Sequence, residues 1–119
     1  MDIQTIFVVG AGLMGSGIAQ NALTCGYNVL LNDQRQEALE RAQIALDNQF
    51  KHEVERGRMT EEEHKDCMSR LTLAPRMSDA KTADLVIEAI YENLEAKTAV
   101  FEELERVCPA HTIFASNTS

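Results

Sequence analysis

The sequence predicts an α/β domain with a parallel, doubly wound sheet, and two observations support this. Short apolar runs alternate with amphipathic helical patterns along the 119 residues. The centres of these runs are almost wholly apolar, which is typical of parallel strands buried on both faces. Regular alternation of strand and helix favours right-handed crossovers within one sheet. A chain of this length suits one domain with one core.

The predicted elements follow one another with little room for a linker. We expect strands at 5–9, 28–31, 71–74, 84–90 and 112–115, and helices at 12–25, 36–55, 60–70 and 95–107. Gly26 and Gly57 are placed to end helices. Thr60 with Glu63 forms a capping-box pattern. The two helices predicted between residues 36 and 70 form a hairpin that is longer than one strand-to-strand crossover needs. This insertion is either a second binding surface or a solvated, stabilising hairpin.

Composition and charge exclude several classes of partner. Hydrophobic residues make up 45% and charged residues 25%, as in ordinary globular domains, and the formal charge is -8. This charge argues against nucleic acid and against an anionic membrane surface. No apolar run is long enough to span a membrane, and no signal peptide precedes the first strand. Cys25, Cys67 and Cys108 fit reduced thiols, so we expect a cytoplasmic protein.

A glycine-rich turn between the first strand and the first helix is the most informative feature. It reads Gly10-Ala11-Gly12-Leu13-Met14-Gly15, and Asp33 follows about 20 positions on, after the second apolar run. Gly10 permits a tight turn, Gly12 a close approach to a pyrophosphate, and Gly15 close packing of helix on strand. The helix N-terminus adds free N–H groups and a positive dipole end. The pattern predicts a Rossmann-type dinucleotide site, the alternative being another nucleotide fold with a tight first turn.

Asp33 bears on the choice of cofactor. A carboxylate at the end of the second strand can accept hydrogen bonds from the adenosine ribose and would repel a 2′-phosphate. NAD is therefore favoured over NADP. Arg35 is an objection, because a nearby arginine can neutralise a 2′-phosphate. Asp33 could alternatively serve only as a cap for the next helix.

Three longer runs carry a family resemblance. GAGLMGSGIA, DLVIEAIYENLEAK and HTIFASNTS occur in this order and at this spacing. Together they resemble the NAD-binding domain of L-3-hydroxyacyl-CoA dehydrogenases, with the bacterial 3-hydroxybutyryl-CoA enzymes most similar. The resemblance covers essentially the whole chain. It implies an NAD-dependent oxidoreductase of fatty acid or butanoate metabolism that transfers hydride between NAD and the 3-hydroxyl carbon of an acyl-CoA.

The resemblance also implies roles for individual residues. Met14 would lie along the cofactor, and Lys97 would contact it. The loop after the fourth strand, which holds Ile90, Tyr91 and Glu92, would touch the nicotinamide ribose. Ser119 would be the active-site serine that hydrogen-bonds the substrate oxygen. Each of these roles has a purely structural alternative. Met14 could pack at the start of the helix, and Lys97 could be a surface lysine. Glu92 could cap the next helix, and Ser119 could be a solvent-facing end residue.

The family's second, helical domain would supply the general base, which this sequence lacks. The general base of the family is a histidine in a H-x-x-N-P motif, and this sequence contains no such motif. We expect a fragment of a longer enzyme whose C-terminal helical domain is absent from this chain and forms a homodimer. His52, His64 and His111 are interpreted as surface residues rather than metal ligands. Lys51, Arg56 and Arg58 could meet the phosphates of coenzyme A, or could line a solvated face.

Two rival functions remain open at this point. The first is a dehydrogenase of the same superfamily that acts on a free hydroxy acid. The second is a non-catalytic NAD-binding module. The missing helical domain would separate these possibilities, whereas the acyl chain length cannot be read from this half of an enzyme.

Overall fold

The computed structural model describes residues 3–89, 102–103, 106–108 and 111–116. Within this part of the chain, the strands are β1 Thr5–Val9, β2 Asn28–Asn32, β3 Leu71–Ala74, β4 Leu85–Glu88 and β5 Ile113–Ser116. The helices are α1 Leu13–Thr24, α2 Gln36–Glu55 and α3 Glu61–Ser69, with a short 3-10 helix at Met77–Thr82. Residues 102–103 and 106–107 are also helical, where the last helix was predicted.

The strands form one parallel sheet with the order β3-β2-β1-β4-β5. The chain runs outward from β1 to β3 and then returns to the other side of β1 for β4. The boundary between β1 and β4 is therefore a topological switch point, where ligands bind beyond the carboxyl ends of strands. In register, Val9 at the end of β1 lies between Asn32 of β2 and Glu88 of β4.

The core lies on both faces of this sheet, because side chains alternate along β1. Ile6 and Val8 belong to a cluster completed by α1, α2 and α3. Phe7 and Val9 face a second cluster, which the 3-10 helix and its flanks complete. All four of these side chains are buried. A strand buried on both faces must be apolar throughout, so the doubly wound prediction is confirmed.

Local signals for helix ends are confirmed as well. Gly26 and Gly57 have φ of +100° and +74°, the left-handed conformation that glycine adopts without steric cost. Thr60 and Glu63 form the reciprocal capping box at the start of α3, with hydrogen bonds of 2.9 and 3.1 Å. The helical hairpin packs on the sheet through buried apolar residues of α2, namely Leu39, Leu46 and Phe50 among others.

Several helix and strand ends differ from the predicted bounds by one or two residues, and two of these differences have a visible local cause. Strand β4 begins at Leu85 instead of residue 84, because the Asp84 carboxylate accepts hydrogen bonds of 3.0 Å from the N–H groups of Gln4 and Thr5. Strand β5 begins one residue late, and the Thr112 hydroxyl donates to the carbonyl oxygen of Ala83 at 2.7 Å. The 3-10 helix was not predicted.

Within the described ranges, no helix has the length and apolar character that crossing a membrane requires.

Candidate functional site

The site begins where β1 ends at the switch point. The chain leaves Val9 and turns at Gly10, whose φ of +105° is a conformation that side-chain-bearing residues rarely adopt. The Gly10 N–H donates to the carbonyl oxygen of Asn32 at 2.8 Å, so the turn is anchored to the end of β2. The tight turn predicted at Gly10 is present.

Gly15 lets α1 pass directly over this turn. A Cβ built on Gly15 would lie 1.6 Å from the carbonyl oxygen of Gly10 and 2.8 Å from its carbonyl carbon. Both atoms are backbone and cannot move away without reshaping the turn. Close packing between helix and strand therefore requires glycine at this position, as predicted.

Gly12 has a different role, because its Cβ position faces open space among the described residues. A Cβ at Gly12 would meet no atom of the described residues within 4 Å, and the Gly12 φ of -75° suits any residue. Neither the backbone conformation nor the packing of the described residues requires glycine there. The space above Gly12 is open, as expected if a ligand approaches the backbone at this point.

The N-terminus of α1 opens onto the same space. Gly12 is its N-cap and offers no side-chain cap, and the first turn carries no acidic residue. The first helical hydrogen bond runs from the Ser16 N–H to the carbonyl oxygen of Gly12, at 2.9 Å. The N–H groups of Leu13 and Met14 therefore have no partner within the helix. Donors that the helix itself leaves free, at its positive end, suit an anionic phosphate.

Asp33 completes the site from the end of β2. Its Oδ2 accepts a hydrogen bond from the Ala11 N–H at 3.0 Å, inside the glycine turn. Its Oδ1 accepts from the Arg35 N–H at 3.0 Å and lies 3.4 Å from the Arg35 Nε. The Asp33 side chain is 12% exposed, and that of Arg35 65%. The alternative that Asp33 caps the next helix is thus partly right. Its carboxylate accepts from the Arg35 N–H at the start of α2 and also from the Ala11 N–H in the glycine turn.

Hydrogen bonding keeps the Asp33 carboxyl ionised. Partial burial by itself raises the pKa of Asp33, but donors from the Arg35 N–H, the Ala11 N–H and the Arg35 guanidinium outweigh it. The net effect is a pKa below the usual value. The side chain is accordingly an acceptor at neutral pH, as a partner of ribose hydroxyls must be.

Sequence reasoning missed two polar residues beside the turn. Asn32 is buried, and its Nδ2 donates to the carbonyl oxygen of Ala74 at 2.7 Å, which joins the ends of β2 and β3. Glu88 is fully buried at the end of β4, next to Val9 in register. Each was visible as a polar residue that closes an apolar run, a pattern expected at the carboxyl edge of a parallel sheet.

The apolar residues of the turn differ in exposure. Met14 is half-buried in the first turn of α1, two residues after Gly12. Leu13 is 94% exposed, the highest value among the large hydrophobic residues described. Sequence reasoning did not single out Leu13.

Several predicted site residues lie outside the described ranges. These are the cofactor-contacting candidates Ile90, Tyr91, Glu92 and Lys97, and the candidate serine Ser119. Their roles remain predictions.

The helical hairpin is described, and its charged residues are mostly solvated. Lys51 and Arg56 are exposed, and Arg58 pairs with Glu53 at 3.7 Å. The histidine interpretation needs one correction, because the His64 side chain is only 18% exposed. Its Nε2 lies 2.7 Å from Oδ1 of Asp47, which joins α3 to α2. Packing between two amphipathic helices partly covers a residue that composition assigned to the surface.

The arrangement fits a dinucleotide and accounts for the glycine spacing. Phosphates can lie at the N-terminus of α1, above Gly12, and a ribose can reach the Asp33 carboxylate. Gly10 and Gly15 shape the turn, whereas Gly12 leaves room. In the described ranges, no group of three or more His, Cys, Asp or Glu residues is arranged to hold a metal ion.

Comparison with known proteins agrees with this geometry. Residues 5–119 match the family described as 3-hydroxyacyl-CoA dehydrogenase, NAD binding domain. Over all 119 residues the chain is 47% identical to a probable 3-hydroxybutyryl-CoA dehydrogenase of Bacillus subtilis. It is 41% identical to 3-hydroxyadipyl-CoA dehydrogenase of Escherichia coli. The crystal structure of 3-hydroxybutyryl-CoA dehydrogenase from Escherichia coli superposes with a TM-score of 0.97, at 41% identity and over 100% of this chain.

The relatives are much longer than this chain. The chain spans 42% of the Bacillus subtilis protein and 25% of the Escherichia coli relative. It likewise covers 25% of the chain in the Escherichia coli crystal structure.

Proposed function

Because the chain belongs to the 3-hydroxyacyl-CoA dehydrogenase family, as its NAD-binding domain, we propose that the whole protein oxidises a 3-hydroxyacyl-CoA with NAD or catalyses the reverse reduction. The observation that carries the proposal is the open space above Gly12 at the uncapped N-terminus of α1. We propose 3-hydroxybutyryl-CoA as the substrate, since a relative that is 47% identical carries that name.

The residues of this chain bind and orient the cofactor. The N–H groups at the start of α1 receive the pyrophosphate, and Asp33 accepts from the adenosine ribose. The hydrogen bond from the Ala11 N–H holds the Asp33 carboxylate against the glycine turn, so both contacts are prearranged. When bound, NAD supplies the hydride acceptor at the reacting carbon.

The remaining roles follow from the family resemblance. Ile90 and Glu92 touch the nicotinamide ribose, Lys97 contacts the cofactor, and Met14 lies along it. Ser119 hydrogen-bonds the substrate oxygen. The neutral hydroxyl of a serine is too weakly basic to accept a proton at neutral pH, so it positions the substrate and is not the general base.

The general base belongs to a helical domain that follows in the longer protein. We propose that this domain encloses the acyl chain and forms the homodimer. A cytoplasmic location fits the three cysteines, all of them free thiols.

The test compares turnover by this chain with turnover after the downstream domain is added. With acetoacetyl-CoA and NADH, the 119-residue chain is expected to show no measurable NADH oxidation, and the extended protein is expected to be active. Substantial turnover by the chain alone would show that the base lies within residues 1–119 and would contradict this assignment.

A substrate panel separates the rival functions. Acetoacetyl-CoA, 3-oxoadipyl-CoA and free acetoacetate are offered to the extended protein. Reduction of acetoacetyl-CoA supports the proposal, and a preference for 3-oxoadipyl-CoA moves the substrate to the longer diacid, as in the Escherichia coli relative. Reduction of free acetoacetate alone favours a hydroxy acid dehydrogenase, and NADH binding without any turnover favours a non-catalytic module.

A further inference from the structure

The ion pair between Arg35 and Asp33 lies where the two dinucleotide cofactors differ. The Arg35 Nε lies 3.4 Å from the Asp33 Oδ1, while the Asp33 Oδ2 is held by the Ala11 N–H. Among the described residues, Asp33 is the acceptor that the structure gives to this guanidinium. The Arg35 side chain is 65% exposed, so it can move away from the carboxylate without leaving a cavity.

The backbone keeps Arg35 at this place whatever its side chain does. Arg35 is the N-cap residue of α2, and its carbonyl oxygen accepts hydrogen bonds from the Ala38 and Leu39 N–H groups at 3.1 and 3.3 Å. Its own N–H donates to the Asp33 Oδ1. The guanidinium is therefore tethered beside the expected ribose position, and only its side-chain contact with Asp33 is weak, as exposed ion pairs are.

The chemistry of a 2′-phosphate suits this guanidinium. Arginine binds phosphate through paired, charge-assisted hydrogen bonds, whereas a carboxylate repels it. While Asp33 is ionised, its charge and that of Arg35 cancel, and the carboxylate lies where ribose hydroxyls bind. Without that negative charge, a positive group would remain at the same position.

We propose that Arg35 is a latent 2′-phosphate receptor, which the Asp33 carboxylate keeps engaged in the wild-type chain. NADP is then excluded by Asp33 alone, and neutralising Asp33 gives the domain an NADP site without any added cation. This inference rests on the proposed dinucleotide site and goes beyond it, because it assigns a latent second cofactor to the same turn.

The test is a double-mutant cycle read by calorimetric titration of NADH and NADPH into this chain. Asp33→Asn removes the charge and retains an amide oxygen that can accept from the Ala11 N–H. The cycle adds Arg35→Gln and the double variant. Arg41→Gln is the matched control, since Arg41 is an exposed arginine further along α2.

Asp33→Asn is expected to raise the ratio of NADPH to NADH affinity about tenfold or more, the equivalent of one charge-assisted hydrogen bond. Adding Arg35→Gln should remove most of that gain, and Arg41→Gln should leave it unchanged. The gain should also shrink in 0.5 M salt, as expected of a screened phosphate contact. Asp33→Ser, which leaves more room for a phosphate, should give the same pattern.

Several results would overturn the inference. If the gain in relative NADPH affinity persists in the variant that combines Asp33→Asn with Arg35→Gln, Arg35 is not the receptor. The same conclusion follows if Arg41→Gln, added to Asp33→Asn, reduces that gain as much as Arg35→Gln does. If neither Asp33 variant gains NADPH affinity while the wild type binds NADH, only this inference fails. If the wild-type chain binds neither cofactor, the proposed function fails with it.

Discussion

The Asp33 carboxylate accepts a hydrogen bond of 3.0 Å from the Ala11 N–H, which joins the end of β2 directly to the glycine turn. The acidic residue of the fingerprint is therefore part of the turn's own structure as well as a candidate partner of the ribose. A substitution at Asp33 can therefore disturb both the glycine turn and the ribose contact. How much it disturbs each depends on the hydrogen-bonding atoms that the replacement retains.

The first prediction concerns cofactor preference. The wild-type chain is expected to bind NAD(H) more tightly than NADP(H). Asp33→Ala should weaken NADH binding by roughly 10- to 100-fold, the range of a lost hydrogen bond to a charged group, and should narrow the gap between the cofactors. Asp33→Asn retains an acceptor for the Ala11 N–H and should lose less NADH affinity than Asp33→Ala. Calorimetric titration with both cofactors measures this, and a wild-type preference for NADP(H) would refute the Asp33 assignment.

The second prediction contrasts two glycines of α1. Gly15→Ala places a Cβ against the Gly10 carbonyl and should destabilise the fold by about 1–3 kcal/mol, as overpacking typically does. Gly17 also lies in α1, but a Cβ built on it meets no atom of the described residues within 4 Å. Gly17→Ala should therefore stabilise the fold by up to about 1 kcal/mol, because alanine favours helix. Urea unfolding midpoints measure both, and equal shifts for the two variants would contradict the packing account.

The third prediction concerns acid stability at the amino ends of the strands. Hydrogen bonds from the Gln4 and Thr5 N–H groups, and one from His111, lower the pKa of Asp84 from 3.8 to about 2. A carboxyl whose pKa falls on folding stabilises the fold above its unfolded pKa and ceases to do so as it becomes protonated. The contribution of Asp84 should therefore be complete above about pH 4 and lost towards pH 2.

Acid unfolding of Asp84→Asn, followed by circular dichroism, checks this. The wild type should be the more stable protein at pH 5, and the difference should diminish as pH falls from 4 to 2. Glu40→Gln serves as control, because Glu40 is an exposed carboxylate on α2. A stability difference between wild type and Asp84→Asn that does not change with pH would be inconsistent with this role of Asp84.

The parts of the fold that sequence predicted are those that depend on local requirements. The tight turn needs Gly10, the helix ends need Gly26 and Gly57, and strands buried on both faces need apolar runs. Each requirement acts over a few residues, so it is visible in the sequence. The elements β1, α2 and β3 have the predicted bounds for this reason.

Other contacts depend on which distant residues the fold brings together. Ala11 and Asp33 are 22 positions apart, and only the register of β1 with β2 joins them. His64 becomes half-buried because α3 packs on α2, and Glu88 becomes fully buried because β4 lies inside the sheet. None of these follows from local sequence. The two roles of Gly12 and Gly15 likewise separate only when a Cβ is built at each position.

Binding of NADH by the wild type and by Gly12→Val tests the central claim most directly. A Cβ at Gly12 meets no atom of the described residues within 4 Å, so the variant is expected to fold with an unchanged circular dichroism spectrum. Its branched Cβ would occupy the space where the pyrophosphate approaches the backbone. Calorimetric titration should show saturable NADH binding by the wild type and none by Gly12→Val. A folded Gly12→Val chain that retains wild-type NADH affinity would contradict the account and show that the glycine turn is structural only.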